Sequence, residues 1–257
     1  MISVEEKRAR FRALHESGCF VLPNPWDVGS LRRLEAAGFV AFASTSSGLA
    51  WSLGKADGEA TFDEVLAHLS TLVAATDRPI NADFEDGYAA DLAGLDRTVT
   101  AAVATGIAGL SIEDQRDGRL FAAAEAAERI AAARAAIDRT GADVVLVGRS
   151  EGILLGAAGL AQTVARLVAY ADAGADCLYA PCIDDRGAVA ELVAAVAPKP
   201  VNVLLWGSLR LADLAALGVR RVSLGGALAA AAWQGFDAAV RRLVEDGAVA
   251  PRAPAFR

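Results

Sequence analysis

The chain has 257 residues, 54% hydrophobic and 22% charged, which supplies ample apolar material for a core and excludes a disordered or low-complexity protein. Lys and Arg number 25 against 32 Asp and Glu, a net charge of -7 without the basic stripe a phosphate backbone requires, so no nucleic-acid partner is expected. Three cysteines without CxxC spacing and two histidines offer neither a disulfide framework nor a His-rich zinc site, so any catalysis falls to carboxylates.

The first ten residues mix both signs of charge and no apolar h-region follows, so no secretory signal is visible and a cytoplasmic protein is expected. Ser3 to Glu16 reads as a helix, with Ser3 and Glu6 at capping-box spacing. Eight short apolar runs then alternate with Ala- and Leu-rich helical stretches: Cys19 to Leu22, Val40 to Thr45, Ile80 to Asp83, Gly109 to Ile112, Val144 to Val147, Cys177 to Ala180, Val201 to Leu205 and Arg221 to Leu224. Between the second and third, Thr61 to Ala75 repeats Phe62, Val65, Leu66, Leu69 and Leu72 at helical spacing, which places His68 off that face, on the surface. Gly225 to Trp233 is the longest nearly apolar stretch, far short of a membrane span, and the tail after Val249 reads as irregular.

Eight βα units with no linker predict one domain over residues 1–257, a single α/β (β/α)8 TIM-type barrel whose extra N-terminal helix caps its bottom. A doubly wound sheet would often carry a dinucleotide fingerprint, and none is present.

Polar residues at the C-terminal ends of barrel strands converge on one open face. Strand three ends in Asp83-Phe84-Glu85-Asp86 and strand four in Glu113-Asp114-Gln115. Asp83 and Glu85, two apart on an extended segment, would point the same way, with Glu113 in reach from the next strand. Three such carboxylates repel unless protonated or neutralised, and an all-oxygen set suits Mg2+, or Mn2+. The competing reading makes these acids helix caps. Arg149 ends strand five, placed across the mouth from the acids, where its fork suits a substrate carboxylate or phosphonate; an internal ion pair to Glu113 or Glu151 is the alternative. Ser47-Gly48 and Gly225-Gly226 could offer amides to an anion, Asn202 lies within strand seven, and Cys177 and Cys182 read as inert packing.

The segments NPWDVGSLRRLEAAGF, STSSGLAWSLG, PINADFEDGY, LSIEDQ, VGRSEG, GADCLYAP, PVNV and LGVRRVSLGGAL, in this order, resemble the isocitrate lyase and phosphoenolpyruvate mutase superfamily over nearly the whole chain. The resemblance implies a Mg2+ site at Asp83, Glu85 and Glu113, Glu85 standing where the family pattern has Asp. It also implies Arg149 as the substrate clamp, Ser47, Gly48 and Leu49 as an anion cradle, and Asp57 in the loop where mutases carry another acid. The implied chemistry is that of a 2-oxo-carboxylate held by Arg149 whose C3 bond breaks to leave an enolate. Lyases of the family carry a Lys-Lys-Cys-Gly-type loop after strand four; here the region runs Gln115 to Ala122 without Cys, and the mutases' Asn-bearing loop is absent too. A Mg2+-dependent lyase or decarboxylase of small oxo- or hydroxy-acids is therefore expected, with carbon-phosphorus chemistry or a non-catalytic dicarboxylate binder as alternatives. The resemblance also implies a homo-oligomer, dimer or tetramer, and Ala227 to Trp233 is apolar enough to be its subunit contact.

Overall fold

Each of the eight apolar runs becomes a strand in the computed structural model, which describes residues 2–248. The elements are α1 (Val4–Leu14), β1 (Phe20–Leu22), α2 (Val28–Ala36), β2 (Phe42–Ala43), α3 (Ser46–Ser52), α4 (Phe62–Ala75), β3 (Ile80–Asp83) and α5 (Leu92–Ala104). They continue with β4 (Gly109–Glu113), a hairpin of β5 (Gln115–Arg116) and β6 (Arg119–Leu120), α6 (Ala123–Thr140), β7 (Val145–Arg149), α7 (Leu160–Asp172) and β8 (Cys177–Tyr179). The last are α8 (Arg186–Val196), β9 (Val201–Leu204), α9 (Leu211–Ala216), β10 (Arg221–Ser223) and α10 (Ala227–Asp246). The tail after Val249 lies outside the described residues.

Eight parallel strands in the order β1-β10-β9-β8-β7-β4-β3-β2 make a nearly closed barrel with helices between them, the expected (β/α)8 fold. β1 and β2 form no ladder. Their seam is joined by the Ala43 amide to the Pro23 carbonyl at 3.1 Å and by Asn24, which donates to the Ser44 carbonyl at 2.9 Å; on the β10 side Asn24 accepts from the Leu224 amide at 3.0 Å. The second strand is shorter than expected because Val40 is still exposed and Thr45 already caps α3.

Two apolar layers result. The larger lies between strands and helices, with Phe42, Leu69, Leu110 and Leu178 fully buried. The smaller fills the barrel's lower interior, where Phe11 of α1 packs against Leu22, Val145, Val147 and Cys177. A Cβ on Gly109 would collide with Phe11, so glycine there is what admits the plug. Lys7 and Arg8 fasten α1 by donating to the carbonyls of Val73, Thr76, Val103 and Ile107.

Two expectations need correcting. Ser3 accepts from the Glu6 amide at 3.1 Å, but the Glu6 carboxylate turns to Arg10 one turn on, so only half the capping box forms. Complete boxes form at α2, where Asp27 and Ser30 cap each other, and at α4, with Thr61 and Glu64. His68 is not a plain surface residue: its Nε2 is buried without a partner, and burial pulls its pKa down to about 4.

Candidate active site

At the mouth, β3 ends at Asp83 and the chain turns at once. Phe84 is buried against Phe62 and Tyr88, while Glu85, Gly87 and Tyr88 all have positive φ (45°, 87° and 54°). A Cβ on Gly87 would strike Leu95, and the two non-glycine residues carry strain of order 1 kcal/mol each, held by the packing around them. Asp83 and Glu85 are therefore not two positions of one extended segment. Asp83 accepts from the Ser46 amide at 3.0 Å, whereas Glu85 accepts from the Tyr88 hydroxyl at 2.6 Å. Burial, with Asp83 adding, pushes the Glu85 carboxyl up to about 7 against the Tyr88 hydrogen bond.

Glu113 and Arg149 are register partners on adjacent strands, which corrects the placement of Arg149 across the mouth from the acids. Arg149 sits among them: Nη1 lies 2.8 Å from Glu113 and 3.1 Å from Asp83, Nε pairs with Glu151, and the guanidinium stands 5.1 Å over the Tyr179 ring. Both ion pairs named as the alternative reading are made. One buried cation thus faces three carboxylates, and burial holds Glu113 and Glu151 above the usual carboxylate range although Arg149 opposes it. Asp114 fixes this segment from behind, accepting from Ser150, the Glu151 amide and Tyr170 at 2.7–2.8 Å.

Among the described residues no group of three or more His, Cys, Asp or Glu stands close enough to hold a metal ion. The expected cluster of Asp83, Glu85 and Glu113 is not gathered, because Glu113 turns to Arg149 and Glu85 to Tyr88. The donor chemistry still fits Mg2+, which keeps several waters and takes few direct carboxylates, and the surplus of buried negative charge favours a cation.

Asp57 lies in the loop before α4, open to solvent on one side; partial burial raises its carboxyl pKa, a hydrogen bond with Ser46 opposes the shift and Asp83 adds to it. Ser47, Gly48 and Leu49 form the start of α3 rather than a free turn. The Gly48 amide donates to Thr45 Oγ1 at 3.3 Å and the Leu49 amide to the Thr45 carbonyl at 3.0 Å, so both are spent within the helix. Leu49 is core, and a Cβ on Gly48 would meet Thr45, Trp26 and Ala229, so glycine lets α3 approach α10. Ser47 remains as the polar member, its hydroxyl 3.1 Å from Thr45 Oγ1 and close beside Gly226, so the two glycine turns meet.

Asn202 is buried inside the barrel, accepting from Arg221 Nε at 3.0 Å and donating to Ser223 at 3.0 Å. Arg221 Nη1 donates to Asn81 at 3.2 Å. Sequence reasoning missed this polar layer, although the two-residue alternation of Arg221 and Ser223 in β10 carries the signal. It also missed the β5–β6 hairpin, turned by Asp117 and Gly118, both at positive φ. Arg116 of that hairpin pairs with Asp86 and the Ala89 carbonyl, tying it to the loop after β3. An outer cleft of about 530 Å³ lies between hairpin and loop, lined by Asp57, Glu85, Tyr88 and Arg116, and a cavity of about 40 Å³ lies deeper, beneath Asp83 and Arg149. Cys177 and Cys182 are free thiols, both raised in pKa by burial.

A family model described as phosphoenolpyruvate phosphomutase matches residues 11–244. A solved structure from Burkholderia cenocepacia J2315, named as a candidate lyase or mutase, shares 43% identity at a TM-score of 0.92, covering 96% of this chain and 91% of that one. The 2-methylisocitrate lyase of Escherichia coli (strain K12) is 30% identical over 186 residues, 68% of this chain and 62% of its own length. Oxaloacetate acetylhydrolase, solved in complex with the product oxalate, is 27% identical at a TM-score of 0.88, covering 97% of this chain and 90% of that one.

Proposed function

This chain belongs to the phosphoenolpyruvate phosphomutase family, whose relatives include lyases and mutases, and from that premise we propose a Mg2+-dependent lyase or decarboxylase. Its substrate is a small 2-oxo or hydroxy di- or tricarboxylate, and the reaction passes through a pyruvate-like enolate. The observation that carries the reading is the cluster at the mouth, one buried guanidinium against Asp83, Glu113 and Glu151.

Arg149 binds the substrate carboxylate through its planar fork, and the Tyr179 ring, 5.1 Å away, supports that fork by a cation–π contact. Asp83, with Glu85 and Glu113 through water, would hold Mg2+, or Mn2+ in its place. When bound, the cation compensates the carboxylates and supplies Lewis-acid stabilisation of charge developing on the 2-oxo oxygen. Glu113 orients Arg149, and Asp57, over the mouth beside Ser46, carries a proton to or from C3. Ser47 meets the far end of the substrate, Gly48 and Leu49 set its position by packing, and Asn202 acts through Arg221. Residues 1–257 work as one barrel domain, in the cytoplasm, as a homo-oligomer. Among the described residues no helix is long and apolar enough to cross a membrane.

The family model's own description favours a second reading, transfer or hydrolysis at a carbon-phosphorus bond, in which the group leaving C3 is phosphoryl. Incubation with Mg2+ and, in turn, oxaloacetate, methylisocitrate, isocitrate and phosphonopyruvate, followed by 1H and 31P NMR, separates the readings. Consumption of an oxo- or hydroxy-acid with EDTA-sensitive kinetics is expected. Phosphonopyruvate consumption alone selects the second reading, and no turnover with calorimetric binding of a dicarboxylate leaves a binding barrel.

A further inference from the structure

Inside the barrel stands a second guanidinium to which the chemistry above assigns no ligand. Arg221, 3% exposed, opens β10 and faces inward with Ser223. Its Nε and Nη1 donate to the side-chain oxygens of Asn202 and Asn81 at 3.0 and 3.2 Å, and among the described residues it makes no ion pair. Amide oxygens orient a guanidinium without neutralising it, and the Asp83 carboxylate that acts on it is itself paired with Arg149, so the buried positive charge has no partner of its own, a costly arrangement unless an anion completes it. Burial accordingly pulls its pKa below the usual guanidinium value.

Arg221 lines the 40 Å³ cavity together with Arg149, Asp83, Asn24, Ser44 and Ser223. That is room for a single small group, and the walls offer hydroxyl and amide partners for it. Of the two arginines there, Arg149 is already surrounded by carboxylates. Arg221 is the one without an ion pair among the described residues.

We propose that Arg221 is the floor of an anion subsite within the barrel, taking one carboxylate group of the substrate, with Asn81 and Asn202 as positioning residues that aim its fork. The subsite deepens the reading above and rests on it for the nature of the ligand. Crystals of the wild-type protein soaked separately in sodium bromide and in sodium oxalate test it directly. Expected are a bromide anomalous peak and an oxalate carboxylate within hydrogen-bond distance of the Arg221 guanidinium. Arg221→Gln should raise the oxalate Kd by calorimetry at least tenfold while the Arg149 ion pairs persist in its crystal structure. Only water in the cavity in both soaks overturns the subsite, as does oxalate binding unchanged in Arg221→Gln. The wild-type soaks decide the matter even if the variant fails to fold. An anion on Arg221 in a protein that turns over no oxo-acid keeps the subsite and removes the lyase reading. Turnover with an unchanged KM in Arg221→Gln and a water-filled cavity does the reverse.

Discussion

Removing the Arg149 guanidinium strands Glu113 and Glu151 in an interior that already disfavours their charge. Arg149→Ala should therefore lose about 3–5 kcal/mol of stability in urea titrations, the cost of breaking a buried pair from one side. It should also raise KM by the equivalent of about 2–4 kcal/mol in steady-state kinetics, with little rescue by Lys. A variant that loses stability but keeps its KM would make Arg149 an internal ion pair alone. Asp83→Ala should abolish the rise in melting temperature on adding Mg2+, with Glu85→Ala milder; an unchanged Mg2+ response in Asp83→Ala would remove Asp83 from the site. The two histidines set a pH dependence away from the mouth. Burial lowers His15 to about 3 and His68 to about 4, so between the ordinary value of 6.5 and those limits the unfolded chain binds more protons. Stability present above pH 6.5 is thus lost as pH falls. A His68→Leu variant should show a flatter melting-temperature profile between pH 6.5 and 4, followed by circular dichroism. The acids at the mouth were legible as residue types at strand ends, but not their directions: two-residue alternation does not survive a turn with positive φ at Glu85. The neighbour of Arg149 could be reasoned only from the closed strand order, in which strands four and five lie side by side.

Whole elements were easier to read than their edges. Strands buried on both faces are apolar along their length, so all eight stand out, while the ends move by a residue or two where a cap such as Thr45 competes for the chain. The β5–β6 hairpin escaped because strands of two residues are too short to show a period. Its Asp-Gly turn was the available cue. The N-terminal helix was legible from its cap at Ser3, yet its task is carried by one side chain. Phe11 is fully buried inside the barrel, and Phe11→Ala should cost about 3–5 kcal/mol in urea denaturation, since Gly109 opposite offers no atoms to fill the void. A loss below 1 kcal/mol would show that α1 lies on the barrel without plugging it.

At the scale of the molecule, α10 buries only Ala229 of its 20 residues and presents Trp233, Phe236, Val240, Leu243 and Val244 to solvent. This apolar face extends well past Trp233, where the sequence pattern placed the contact, and we assign it to a neighbouring subunit. Light scattering should report a dimer or tetramer at micromolar concentration, and Phe236→Asp should lower the mass; a monomeric wild type would refute the assignment. The seam between β1 and β2 sets how the ring comes apart. Seven strand contacts are ladders, whereas among the described residues this one depends on one backbone amide and one hydrogen bond of Asn24, so the nearly closed circle is a bracelet with one clasp. Deuterium should enter at the Ala43 amide ahead of the Phe42 and Ser44 amides, which bond to the β3 side. With Asn24→Ala, which forfeits about 1 kcal/mol at the one net hydrogen bond across the seam, exchange there should quicken roughly fivefold. Because α3 and α10 begin beside the clasp, each opening would also expose the flank of the mouth on which Ser47 meets Gly226, leaving catalysis and breathing to share one hinge line.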